Sequence, residues 1–132
     1  MTVKVFDRQN ESNPLNGRVV EHDDELLQIL ESFRSRPAFF AELVGENGYN
    51  LLVGVAGATG SVQYSRDDGT PPYLMALGSD RESPGEYLEF LTGDTPTPVP
   101  RRYGLPLDLV KEVAVYFRQT GQCSPAIPWE EI

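Results

Sequence analysis

The chain has 132 residues, of which 39% are hydrophobic and 23% charged, and this composition is typical of a single globular domain over residues 1–132. Its 20 acidic and 11 basic residues give a net charge of −9, which disfavours direct binding to nucleic acid or to an anionic membrane. No apolar run approaches the ~18 residues of a membrane span, and the first residues lack a signal-peptide pattern. The single cysteine excludes an internal disulfide. From these features we expect a cytoplasmic protein.

The first third of the chain predicts one short strand and one amphipathic helix. Residues 2–6 alternate apolar and polar side chains, which is typical of a strand. A helix is predicted to begin near Asp23 or Asp24, either of which could cap its first turn, and to end before Pro37. Its apolar residues recur at spacings of three and four and predict a buried stripe of Leu26, Ile29, Leu30 and Phe33.

The middle of the chain predicts closely spaced strands rather than helices. Strand-like runs cover residues 38–44, 50–55, 61–64, 72–77 and 86–91. Residues 57–60 and the sequence Asp67-Asp68-Gly69 are typical of turns. Residues 95–100 contain three prolines, which lack the N–H that a central strand donates, so this segment is predicted to be an edge strand or an extended connection.

A second helix is predicted between Pro106 and Gly121, which suit the first turn and the C-terminal cap of a helix. Its predicted buried stripe is Leu109, Val113, Tyr116 and Phe117. The tail around Trp129 is apolar, so we expect it to dock. The pattern predicts an α+β fold: an antiparallel sheet of about five or six strands with both helices packed on one face, leaving a second face partly open to partners.

Residues that could support catalysis are few. His22 is the only histidine and Cys123 the only cysteine, and nothing in their positions brings them together as a nucleophile and its base. The glycine-rich residues 54–60 lack the Gly-Lys-Ser/Thr ending of a phosphate-binding loop. Asp67 and Asp68 lack the further acids of a calcium loop. The sequence therefore predicts no catalytic residue, no metal and no cofactor.

A spaced pattern in the C-terminal third resembles a known family. Its residues are Glu86-Tyr87, Gly93, Pro98-Val99-Pro100, Pro106-Leu107, Val110, Val113-Ala114, Phe117, Thr120-Gly121, Pro125 and Pro128-Trp129-Glu130. Together with residues 26–30, 36–39, 52–55 and 64–77, this pattern is similar to the first immunity-protein family (Imm family one) of bacterial polymorphic-toxin systems. The resemblance implies a non-enzymatic cytoplasmic antitoxin that binds a cognate toxin one-to-one, often a nucleic-acid deaminase. The alternatives are immunity to a nuclease-type toxin and a small regulatory or scaffold domain.

Acidic side chains in two segments carry the negative charge. Residues 21–31 hold five acids and no base, which suits the positive end of the first helix. Residues 65–94 hold seven acids and two bases. Because a nucleic-acid deaminase needs a basic cleft, the second segment is our hypothesis for the toxin-binding surface. Its candidate contact residues are Tyr64, Asp67, Asp68, Tyr73, Asp80, Glu82 and Glu86. The alternatives remain that the acids only keep the surface soluble and that the tyrosines lie in the core.

Overall fold

A large, mainly antiparallel sheet forms the framework of the protein. The computed structural model describes residues 2–7, 10–36, 38–78, 87–92 and 95–132. In these residues the strands are β1 (Val3–Asp7), β2 (Arg18–Val20), β3 (Phe39–Val44), β4 (Tyr49–Ala56), β5 (Thr59–Arg66), β6 (Leu74–Ala76), β7 (Tyr87–Thr92), β8 (Thr95–Pro100), β9 (Leu105–Pro106) and β10 (Trp129–Glu131). The helices are α1 (Asp23–Phe33) and α2 (Leu107–Thr120), so each lies between runs of strands in the chain.

Neighbouring strands in the sheet follow the order β10-β6-β5-β4-β3-β1-β2, and each of these pairs is antiparallel. The β7–β8 hairpin joins β3 through one parallel pair, Phe39 and Leu91, and β9 pairs with β5. The α+β prediction is confirmed. The sheet has more strands than the five or six expected, because β2, β9 and β10 are two or three residues long and too short to show an alternating pattern.

Both helices pack against one side of this sheet, which we call the covered face. The buried residues of α1 are Leu26, Ile29, Leu30 and Phe33, as the apolar spacing predicts. They share one core with inward residues of the strands, among them Val5, Leu43, Leu51, Val53 and Val62. A side chain at Gly60 would clash with the carbonyl oxygen of Gly54 and lie 3.0 Å from Val110 Cγ2, so glycine lets α2 approach the sheet closely.

The buried stripe of α2 differs from the predicted one. Val110 and Ala114 are fully buried, whereas Leu109 and Tyr116 are half-buried. The helix begins at Leu107, so the line of residues spaced by three and four runs through 107, 110, 113, 114 and 117, and Leu109 and Tyr116 lie on its margins. The predicted end is confirmed: Gly121 has a φ of 74°, and its N–H donates to the carbonyl oxygen of Phe117 over 2.7 Å.

The first turn of α1 also departs from expectation. His22 occupies the N-cap position and makes no side-chain capping bond. Asp23 instead accepts from Arg118 of α2, with 2.7 Å between Oδ1 and Nε, so the predicted capping role of the aspartate is wrong. No described helix has both the length and the apolar character needed to cross a membrane.

The apolar tail docks on the sheet, as predicted. Residue Trp129 of β10 lies opposite Ala76 of β6, which makes the tail the edge of the sheet. The indole Nε1 donates to the carbonyl oxygen of Ser124 over 2.7 Å, and the ring meets that of Tyr64 edge-on with 6.5 Å between centroids. This tail therefore completes the covered face.

Candidate functional site

The side of the sheet opposite the helices, which we call the open face, is formed by the alternate residues of the same strands. Phe40 of β3, Leu52 of β4 and Met75 of β6 point to this side, whereas their chain neighbours enter the core. Val99 of β8 and Tyr103, in a short 3-10 turn, pack with Phe40 and Met75 in a second, smaller apolar cluster. Among the residues that the structure describes, those that cover the open face belong to β8 and to the turn at Tyr103.

A pocket of about 220 Å³ lies between the open face and β8. Its apolar walls include Phe40, Leu52, Met75, Val99 and Tyr103. Two polar residues of β5, Ser61 and Gln63, also line it. Ser61 is only 2% exposed, and its hydroxyl makes no hydrogen bond within the part of the chain that the structure describes. This open-face pocket thus combines apolar walls with polar groups that retain bonding capacity.

The polar character continues along the open face beyond the pocket. Asn50 of β4 donates from Nδ2 to a carboxylate oxygen of Glu42 on β3. The Asn50 Oδ1 atom is buried and accepts no hydrogen bond from any residue in the described ranges. Since Glu42 lies opposite Leu52 in the sheet register, these polar groups adjoin the wall of the pocket. The open face therefore holds a further acceptor whose hydrogen bond is unused.

Asp67 and Asp68 lie at the end of β5 in an exposed turn, residues 66–70, which we call the acidic turn. The Asp67 N–H donates to the carbonyl oxygen of Gly48 over 2.9 Å. Asp68 Oδ1 accepts from the Thr70 hydroxyl over 2.6 Å and from the Thr70 N–H over 2.9 Å. These bonds hold the pKa of Asp68 below its ordinary value, the hydroxyl having the larger effect. The turn thus exposes two carboxylates to solvent, and Thr70 holds that of Asp68 in place.

Tyr73 connects the acidic turn with the open-face pocket. It is half-buried, and its hydroxyl donates to the carbonyl oxygen of Gly69 in the turn. Its own carbonyl oxygen accepts from the N–H of Ile132 over 2.9 Å, and Ile132 lines the pocket. Along β5, Asp67 lies four residues beyond Gln63, which is about 13 Å in a strand. The turn and the pocket are therefore neighbouring parts of one surface.

Tyr64, the other candidate tyrosine, belongs to the covered face. It is 8% exposed, and its hydroxyl donates to the carbonyl oxygen of Gly121 over 3.0 Å. Its ring stacks on Tyr49, with 4.8 Å between centroids. Burial raises the pKa of Tyr64 to about 12, with smaller contributions from Cys123 and Tyr49. Tyr64 is thus part of the core, and it does not share a surface with Asp67 and Asp68.

The remaining predicted contact residues, Asp80, Glu82 and Glu86, lie outside the described residues. The acids of residues 21–31 provide a contrast with the acidic turn. Several of them are paired with bases at 2.6 Å: Asp23 with Arg118, Glu25 with Arg18, and Glu31 with Lys111. Neither Asp67 nor Asp68 forms an ion pair with a described residue. The acidic turn therefore leaves its two carboxylates without an ion pair to a described residue, whereas three acids of residues 21–31 are paired.

Groups that could perform chemistry are not assembled in this part of the molecule. Among the residues for which the structure gives positions, no three His, Cys, Asp or Glu side chains come together to hold a metal. His22 is exposed beside α1, Cys123 is half-buried near Tyr64, and no described hydrogen bond joins the two. What the arrangement offers is recognition, by an apolar pocket, unused hydrogen-bonding groups and exposed carboxylates.

Sequence reasoning missed Ser61, Gln63 and Asn50. The alternation of residues 61–64 does place Ser61 and Gln63 on the side opposite Val62 and Tyr64. It cannot show that β8 returns across that side and encloses a pocket, because β8 is distant in the chain.

The fold is that of an α+β protein whose open face carries an apolar pocket with polar groups. The family model described as Immunity protein Imm1 matches residues 15–131, and a search of curated proteins found no match. Because this match covers most of the chain, the protein belongs to the Imm1 immunity protein family, as the resemblance in its sequence implied. Membership supports an antitoxin role, in which the protein binds a cognate toxin.

Proposed function

We propose that this protein neutralises a nucleic-acid deaminase toxin by forming a one-to-one complex with it in the cytoplasm of the producing cell. The observation that carries the proposal is the match to the Imm1 immunity family over residues 15–131. The deaminase is the partner that the family resemblance implies, and the protein acts by occlusion without chemistry of its own. The acidic turn and the open face supply the contacts.

The charge of the chain supports a basic partner. A deaminase must hold the phosphate backbone of its substrate, which requires lysine and arginine around its cleft. A protein of net charge −9 is attracted to such a cleft over distances comparable to the Debye length, about 8 Å at physiological salt. Of the contact set proposed from the sequence, Asp67, Asp68 and Tyr73 lie in or beside the acidic turn, whereas Tyr64 lies in the core. Asp80, Glu82 and Glu86 complete that proposed set.

The test is rescue of a cell from the toxin. The C-terminal domain encoded by the gene immediately upstream is expressed in a naive bacterium, with and without this protein. The proposal predicts killing by the domain alone, survival when both are present, and co-purification as a complex whose mass by light scattering equals one copy of each. Equal killing in both cultures, with no complex, would refute the pairing.

The same cultures identify the class of toxin. Genomic DNA and RNA are sequenced from cells sampled shortly after toxin induction. A deaminase produces base transitions at cytosine or adenine, whereas a nuclease produces strand breaks without them. Transitions that disappear when this protein is co-expressed support the proposal. If strand breaks disappear on co-expression instead, the protein is still an antitoxin, but its toxin is a nuclease and not a deaminase.

A further inference from the structure

We propose that the open-face pocket receives a tyrosine side chain of the cognate toxin, which anchors the complex. This inference rests on the proposed function for the identity of the partner. It also makes a claim about the pocket that can be tested without the toxin.

The size of the pocket favours a single side chain over a free small molecule. Its volume of about 220 Å³ is below the roughly 300–1,000 Å³ of typical small-molecule sites. Its walls of Phe40, Leu52, Met75 and Val99 can surround an aromatic ring. A side chain inserted between them would lose its contact with water, as the anchor residues of protein interfaces do.

The floor of the pocket requires a polar tip on that side chain. Ser61 is 2% exposed, and neither its hydroxyl nor the Gln63 amide is hydrogen-bonded to another described residue. A partner that covered these groups without forming a hydrogen bond to them would incur a cost of about 1–3 kcal/mol for each. A hydroxyl and an amide each donate and accept, so they match a phenolic hydroxyl, which does both.

Other side chains fit this pocket less well. An aliphatic side chain or phenylalanine would leave Ser61 and Gln63 unpaired. Tryptophan offers only a donor. Lysine or arginine would bring a charge into a pocket whose lining side chains are uncharged, at a high desolvation cost. Tyrosine supplies a large apolar ring with a tip that both donates and accepts.

The surroundings of the pocket match an anchor carried on a basic surface. Glu42, opposite Leu52 in the sheet, already accepts from Asn50, and Glu130, opposite Met75, pairs with Arg102 over 3.6 Å. The acidic turn, whose carboxylates form no ion pair with a described residue, lies about 13 Å further along β5. An aromatic anchor with lysine and arginine on that side would thus meet apolar walls at its centre and the carboxylates of the acidic turn at its periphery.

The first experiment asks whether the isolated protein binds a tyrosine side chain. The chain has two methionines, so methyl-¹³C-methionine labelling gives two resonances, and Met75→Leu assigns the one in the pocket wall. We expect N-acetyl-tyrosinamide to shift the Met75 resonance saturably at about millimolar concentration, as for a small fragment. N-acetyl-phenylalaninamide should bind about tenfold more weakly, because it lacks the hydroxyl. Equal binding of the two, or no shift, would overturn the proposal.

The second experiment uses the toxin domain and a matched pair of variants. Ser61→Ile fills the pocket from its floor, whereas Ser32→Ile makes the same change at an exposed residue of α1, on the helical side of the sheet. We expect Ser61→Ile to weaken toxin binding at least about 30-fold, and Ser32→Ile to change it less than threefold. Gln63→Leu should weaken it about tenfold. Thermal unfolding of all three variants confirms that they are folded.

The outcomes separate this inference from the proposed function. If wild-type protein binds the toxin and Ser61→Ile binds equally well, the anchor is wrong and the antitoxin role stands. If wild-type protein binds no toxin, the proposed function is wrong, and so is the inference that a tyrosine of the toxin occupies the pocket. The inference is supported if Ser61→Ile loses toxin binding while the control variant keeps it, and if the free protein prefers N-acetyl-tyrosinamide to N-acetyl-phenylalaninamide.

Discussion

The two faces of the sheet are built from alternate residues of the same strands, yet they differ in how many of their polar groups have hydrogen-bond partners. On the covered face Phe117 is fully buried and the Tyr64 hydroxyl is bonded to Gly121. On the open face Ser61 and the Oδ1 atom of Asn50 have no hydrogen-bond partner in the described structure. The covered face therefore supplies most of the stability, and the open face keeps interaction capacity for a partner.

The largest effect should follow from a cavity in the covered face. Phe117→Ala removes a fully buried ring from the middle of the core and should lower the free energy of unfolding by about 3–5 kcal/mol in urea denaturation. The control is Leu52→Ala on the open face, where the side chain is half-buried and the loss should be less than half as large. A larger loss for Leu52→Ala would contradict the division between the faces.

Removing the cation beside a buried carboxylate on the covered face should lower the free energy of unfolding nearly as much. The Asp7 carboxylate is fully buried, and its Oδ2 lies 2.7 Å from the Arg36 guanidinium, which also stacks 3.9 Å from the centre of the Phe39 ring. Arg36→Ala should lower the free energy of unfolding by about 3 kcal/mol, because it removes a guanidinium that lies 2.7 Å from a buried carboxylate.

The matched control for that change is an exposed ion pair. Arg34 lies 3.5 Å from Glu31 on the surface of α1, so Arg34→Ala should change the free energy of unfolding by less than about 0.5 kcal/mol. Similar losses in the two variants, measured by urea denaturation, would show that burial does not distinguish the two arginines.

Tyr64→Phe should produce a smaller, pH-dependent loss. At pH 7 the variant loses one buried hydrogen bond, worth about 1 kcal/mol. The pKa of Tyr64 is raised to about 12 in the fold, so between about pH 10 and 12 the unfolded chain releases this proton and the folded chain retains it. Wild-type stability then falls as the pH rises, and its advantage over Tyr64→Phe shrinks. Parallel stability curves over this range would contradict the assignment.

The smallest effect on stability should come from the acidic turn. Asp67→Asn with Asp68→Asn removes two charges but keeps an acceptor for Thr70, so the free energy of unfolding should change by less than about 0.5 kcal/mol. Toxin association should slow by about tenfold at low salt and less at high salt. Because the pKa of Asp68 is lowered by its hydrogen bonds to Thr70, its contribution to the wild-type rate should persist to a lower pH than that of an ordinary aspartate.

Glu21→Gln with Asp24→Gln provides the charge-matched control for the acidic turn. These exposed acids lie at the start of α1, Glu21 just before it and Asp24 in its first turn. They form no ion pair with described residues and belong to the other acidic segment. Stopped-flow association should show a clearly smaller change for this pair. Equal slowing in both double variants would mean that net charge, rather than the acidic turn, steers the toxin.

Local patterns in the sequence predict much of the fold. The spacing of apolar residues predicts the buried stripe of α1. The backbone chemistry of glycine and proline predicts the cap at Gly121 and the edge position of β8. The burial of Tyr64 depends on which face of β5 receives the helices, and the local sequence does not determine that. The open-face pocket depends on β8 and Tyr103 returning to β3 and β6, a contact between distant parts of the chain. The family resemblance is confirmed, and the deaminase partner remains a proposal.

The most direct test of the central claim is a methyl NMR spectrum of the labelled protein in complex with unlabelled toxin domain. We predict that the Met75 and Leu52 methyl resonances of the open face shift or broaden at one equivalent of toxin. The resonances of Leu27 and Val115, which line a groove on the helical side, should stay in place. The reverse pattern, with shifts at Leu27 and Val115 and none at Met75, would show that the toxin binds the helices and would contradict the account.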